Sequence, residues 1–254
     1  MLFMKKLLAL LCVSWSVPAD AAYVPNATEQ AVLEAVLRDE VVSFSTGGHS
    51  FVGESQGIVP VTAASASQAM AARDRNARMP ELKQPLLLSG ALAATGSVAG
   101  QGEWFDFADT AAPKVRARLA PGQTLAGKPK AGQALALVCG KMDLAKDTLS
   151  FSGCEPAAAV AEREAARLKN ALAAFYQGKP TDAKVATLAI NISLYAQELP
   201  AGSGCPGDEA RCGASIAAVK LPSLGHKNAV LQRLREAGVD LSAFSPRQQP
   251  LFGH

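Results

Sequence analysis

The N-terminus constrains this chain most, because it decides the chemistry of the cysteines that follow. Lys5 and Lys6 give a basic start, Leu7 to Val13 is an unbroken apolar run, and Ala19-Asp20-Ala21 places small residues at both positions a signal peptidase inspects. A basic start, a short apolar middle and an A-x-A end define a cleavable secretory signal. The apolar run is too short to cross a bilayer, which takes about 20 residues. Lipid attachment at Cys12 is disfavoured because Leu11 before it is not small. The expectation is a signal peptide over 1–21 and a periplasmic or secreted protein with no transmembrane segment in the mature chain.

Cys12 leaves with that segment, and Cys139, Cys154, Cys205 and Cys212 remain. Four cysteines in an oxidising compartment predict two disulfides, in one of three connectivities. Nearest-neighbour pairing, Cys139 with Cys154 and Cys205 with Cys212, is the preferred one. Zinc is the alternative, but no C-x-x-C pair is present and no His lies close to either pair in sequence, so no metal is expected. No cofactor is expected either.

Hydrophobic types make up 49% and charged types 19% of the chain, the balance of a globular protein. The formal net charge of +3 comes without any run of Lys or Arg. A nucleic-acid binder concentrates its basic charge, so no nucleic-acid partner is expected.

Along the chain, Asn26 with Glu29 three places on forms a capping box for a helix over 27–43, with Val32, Leu33, Val36, Leu37 and Val41 on one face. Gly and Ser richness predicts a loop over 44–60. Thr62 caps an Ala-rich helix over 62–79, which Pro80 ends. Five short strands follow, over 86–92, 104–107, 115–119, 134–139 and 149–154, separated by turn residues. A long helix then opens at Pro156 and stops at Gly178. A second helix opens at Thr181 or Asp182 and closes at Pro200. A short one carries Cys212 and Ile216, and a last one spans 227–237. The tail from Ser245 reads as loose.

Residues 67–157 carry a softer signature. A helix ending over Ala72 to Asn76 leads to a strand, Leu86 to Gly90, that closes on glycine. Later, a Lys130-Ala131-Gly132-Gln133 turn introduces an apolar strand holding Cys139, and the next strand, Leu149 to Cys154, ends on a second cysteine. This arrangement resembles the bacterial exported tRNA-anticodon-like OB-fold family. The resemblance implies a five-stranded barrel with a leading helix and a binding role, and it brings no catalytic residues with it. The overall expectation is an α+β chain: an N-terminal helical segment over 22–80, a small OB-like β-barrel over 81–157 and a helical C-terminal part over 158–254.

Two constellations point to chemistry. Gly53-Glu54-Ser55-Gln56-Gly57 matches the G-x-S-x-G nucleophile elbow of serine hydrolases, with His226 downstream as base and Asp182 or Asp208 between them. An elbow requires a strand before the serine and a helix after it, and Pro60 stands where that helix would run. The other is Trp104-Phe105-Asp106-Phe107 followed by Lys114, Arg116 and Arg118. OB barrels use aromatics for stacking and basic side chains to track anions, and Arg116 and Arg118 share one side of a strand. Trp104, Arg116 and Arg118 are the candidate ligand-binding residues, for an envelope protein or an anionic envelope component. The favoured reading is a non-enzymatic binding or interaction module. The alternatives are a serine hydrolase built on Ser55 and His226, and a structural envelope protein.

Overall fold

In the computed structural model, which describes residues 22–72, 83–98, 102–108, 110, 113–220 and 224–244, the chain is α+β with a six-stranded mixed sheet. The described elements in order are α1 (Ala27–Ser45), α2 (Phe51–Ser55), β1 (Val59–Thr62), α3 (Ala63–Ala71), β2 (Leu86–Val98), β3 (Gly102–Phe107), β4 (Lys114–Leu119), β5 (Ala134–Ala145), β6 (Thr148–Pro156), α4 (Ala157–Tyr176), α5 (Ala183–Glu198), α6 (Glu209–Ala217) and α7 (Leu224–Glu236). The expected signal segment 1–21, the 73–79 end of the second expected helix with Pro80, and the tail from Ser245 lie outside the described residues.

The strand order is β1-β2-β3-β4-β6-β5, and β2 pairs with β5 as well. β1 runs parallel to β2 and β4 parallel to β6, while the other pairs are antiparallel. Each of β2 to β6 therefore has two partners among these five. β2 manages this by dividing its length. Leu86 to Ala91 pairs with β5, and Leu92 to Val98 pairs with β3 beyond an irregularity between Leu92 and Ala94. The first half is buried on both faces: Leu88 packs with Leu137, Phe105 and Phe151, whereas Leu87 packs with Ala136, Val138 and the Val160 and Ala161 of α4. An unbroken apolar run such as Leu86-Leu87-Leu88 is what a strand covered on both sides needs.

Six strands stand where five are expected, and the difference lies in the loop expected over 44–60, which holds α2 and β1. β1 contains Pro60, which lacks an N–H, and sits at the edge of the order where the missing donor costs least. α2 is held by its own N-cap and by a carboxylate eleven residues earlier. Ser50 Oγ accepts from Gly53 N at 3.1 Å, and the Glu40 carboxylate of α1 accepts from Phe51 N and, at 3.4 Å, from Val52 N. Burial pushes the Glu40 carboxyl above its ordinary value, and these two backbone donors pull it the other way.

The helices form their own core from Val32 and Val36 of α1, Leu172 and Phe175 of α4, Leu188, Ile190 and Ile192 of α5, and Val230 and Leu234 of α7. α5 is central: every residue from Val185 to Leu194 is buried, the polar Thr187, Asn191 and Ser193 included, so the helix is enclosed all round rather than along one stripe. Among the described residues, no helix is long and apolar enough to cross a membrane.

Tyr23 docks the start of the described chain onto α4. Its N–H donates to Tyr176 O at 2.9 Å, its ring lies 5.5 Å from that of Tyr176, and its hydroxyl donates to Glu29 at 2.7 Å. Burial, helped by the Glu29 hydrogen bond, pushes the Tyr23 phenol up to about 12. Burial also raises Tyr176 and Tyr195, so all 3 tyrosines are shifted in the same direction. The fold thus holds these phenols neutral, whereas the unfolded chain releases their protons near pH 10. Stability from this source is constant below pH ~10 and falls as pH climbs from there through the folded values. In an alkaline titration, phenolate absorbance should lag behind that of free tyrosine and rise together with the loss of circular dichroism. A tyrosine ionising at the free value while the fold stays intact would contradict this.

Candidate binding face

Alternation along β3 and β4 sorts their side chains by face. Phe105, Phe107, Val115, Ala117 and Leu119 point inward and are buried. Trp104 and Asp106 of β3 stand opposite Arg118 and Arg116 of β4, and these four share the outer face, half-buried. Helix α4 covers the outer side of β2 and β5 through Leu87, Ala136 and Val138, but these contacts do not reach β3 and β4.

Trp104 is held flat because its neighbour across the pair with β2 is Gly96. A Cβ at Gly96 would lie 2.4 Å from Trp104 Cζ2, so only glycine leaves room for the indole to rest on the strand. Arg116 then bridges. Its Nε donates to Asp106 Oδ1 at 2.6 Å, its Nη2 donates to Asp106 Oδ2 at 2.9 Å, and its guanidinium carbon is 4.4 Å from the centre of the Trp104 ring. The Asp106 hydrogen bonds raise the guanidinium above its ordinary value, so it stays charged. Exposed pairs of this kind contribute little to stability, about 0.5–1 kcal/mol for the cation–π contact. Their effect is orientation: a planar guanidinium fixed against an indole makes a stacking platform, with Arg118 directly across from Trp104.

The structure therefore brings together the three expected residues, Trp104, Arg116 and Arg118. It adds two that the sequence reading missed, Asp106 and Gly96. Asp106 was legible in principle, since it shares the face of Trp104 two residues away. Gly96 was not, because its role depends on a strand register.

Both cysteine pairs form disulfides. Cys139 and Cys154 face each other in the β5–β6 register with Cα atoms 4.1 Å apart, and both are fully buried. Cys205 and Cys212 tie the loop before α6 to that helix, with Cα atoms 4.9 Å apart. Among the described residues, no group of three His, Cys, Asp or Glu side chains could hold a metal ion.

Ser55 is the last residue of α2, and β1 follows it, so the order is helix, serine, strand, the reverse of an elbow. Its hydroxyl donates to Val52 O at 2.9 Å. His226 of α7 meets Glu198 at the end of α5. Asp182 and Asp208 are the N-caps of α5 and α6, with their carboxylates engaged by backbone N–H groups. No family model matches the chain, and no match is found among curated proteins or solved structures.

Proposed function

We propose that the chain is an exported, non-enzymatic binding module in which β2 to β6 close into a small OB-type barrel and a partner lies across the outer face of β3 and β4. The pairings favour closure: each of the five strands has two partners within the set, with a single parallel contact, β4 with β6. A resemblance to the exported tRNA-anticodon-like OB-fold proteins belongs to the same proposal and rests on residues 67–157. Two disulfides favour an oxidising compartment, and with it the signal-peptide reading of 1–21.

The observation that carries the reading is the stack of Gly96, Trp104 and Arg116, built on a face that the α4 contacts with Leu87, Ala136 and Val138 do not reach. OB barrels present that pair of strands to oligomeric ligands. An anionic envelope component or an acidic envelope protein suits an indole platform flanked by Arg118 and Lys114. The test is crosslinking of the exported protein in cells, followed by capture and mass spectrometry. One recurrent envelope partner is expected, with recovery reduced about tenfold by Trp104→Ala, since stacking on an aromatic is worth about 1–3 kcal/mol. Capture at wild-type level by that variant would remove the face from the reading. The absence of any recurrent partner would replace binding with a structural role in the envelope.

A further inference from the structure

We propose that the cleft between α2, α4 and the start of α5 is a second binding site, one that takes a small carboxylate carrying a short apolar chain. The cleft has a volume of about 560 Å³, in the range that encloses a small ligand. Its floor is apolar, made by Phe51, Leu168, Ala171 and Val185, and its rim carries Arg167 and Lys184. The Gly53–Gly57 segment at the end of α2, which matched a hydrolase motif, forms one wall through Ser55 and Gln56.

The charges on the rim differ in how fully they are used. The two carboxylates are engaged. Asp182 accepts from Lys184 N at 2.8 Å and Val185 N at 2.9 Å as the cap of α5. Glu164 has only 8% of its side chain exposed, and it holds Arg167 at 2.9 Å and Arg163 at 3.7 Å. The cations have donors to spare. Lys184 Nζ donates to Glu54 O at 3.0 Å, one of the three bonds an ammonium can make. Arg167 meets Glu164 through Nη1, and its side chain is 65% exposed, leaving other N–H groups of the guanidinium turned outward. Two cations with spare donors, above a floor of four apolar side chains, fit an anionic head and an apolar tail. An ammonium head would meet Arg167 and Lys184 with like charge and carboxylates that are already occupied.

The probe is octanoate, titrated into the full chain and followed by amide chemical shifts. Saturable binding of one octanoate is expected, with shifts centred on Ser55, Leu168 and Lys184. Acetate, which lacks the tail, and octylammonium, which reverses the charge, should not saturate over the same range. Arg167→Gln with Lys184→Gln, both exposed positions, should weaken octanoate at least about tenfold, the loss of charge-assisted hydrogen bonds, while the dispersion of the amide spectrum shows that the fold persists with Glu164 held by Arg163. Trp104→Ala should leave it unchanged, which separates this site from the β3–β4 face. Equal binding of octylammonium, shifts centred elsewhere, or unaltered affinity in the double variant would each overturn the proposal.

Discussion

Replacing Cys139 and Cys154 together with Ala should lower the free energy of unfolding by about 3 kcal/mol, the loop-closure entropy expected for a link of sequence separation 15. The two sulfur atoms are fully buried among Leu119, Leu137 and Phe151, so their removal also leaves a void that adds on the order of 1 kcal/mol. The pair sits where four strands meet: Cys139 of β5 opposes Leu86 of β2, and Cys154 of β6 opposes Leu119 of β4. The Cys205–Cys212 link spans a separation of only 7, for which the same relation gives about 2 kcal/mol. Guanidinium unfolding of the two double-alanine variants, compared at a common slope, checks both the size and the order of these effects. Access should order their reduction in the native state too. Cys205 is half-buried, so the second bridge should open to a thiol reductant before the first. Equal midpoints for wild type and the Cys139→Ala, Cys154→Ala variant would mean that the strands hold the link shut without it.

The helix at Ala27–Ser45 illustrates what was legible. Its start is written locally, because Asn26 and Glu29 satisfy each other's neighbouring N–H groups over a three-residue span. The stop at Gly178 is local as well, since its φ of 73° lies in the left-handed region that favours glycine. The five expected strands are all present, because Val115 to Leu119 alternates in a period of two, and Leu86 to Leu88 and Ala134 to Cys139 are short apolar runs bounded by turn residues. Nearest-neighbour cysteine pairing follows from the same locality: a short hairpin brings Cys139 and Cys154 together whatever the rest of the chain does.

What escaped the sequence depends on partners far along the chain. β2 runs to Val98 rather than ending near Leu92, because Ala94 to Val98 pairs with β3 while lying mostly exposed, and small exposed residues carry no periodicity. α2 exists because Glu40, eleven residues earlier, takes up its first N–H groups. β1 exists because β2 offers it an edge. At the candidate face, residue types pointed to Trp104 and the arginines, whereas the grip on the indole comes from Gly96, and the ion pair that orients Arg116 comes from Asp106, both fixed by register. Glu29 is the clearest case. The sequence marks it as a cap, yet its carboxylate also receives the guanidinium of Arg233, 204 residues away.

That contact should be the costliest polar one to break. The Glu29 side chain is fully buried, and its carboxylate accepts from Tyr23 Oη at 2.7 Å, Asn26 N at 2.9 Å and Arg233 Nη2 at 2.8 Å, tying the start of α1 to α7. Arg233→Met keeps most of the packing volume but strands an ionised carboxylate in the interior. Stranding a wholly enclosed charge costs about 3–5 kcal/mol; with 44% of the Arg233 side chain exposed, water shares the load, and about 2 kcal/mol is expected. Adding Glu29→Gln removes the stranded charge. The amide oxygen can still accept from Asn26 N, so the cap survives in neutral form. The double variant should therefore be more stable than Arg233→Met alone, even though it carries one substitution more. Thermal and denaturant unfolding of the two singles and the double measure this directly. If the two losses simply add, Glu29 and Arg233 are not coupled, and the link between α1 and α7 rests on Val32, Val230 and Leu234 instead.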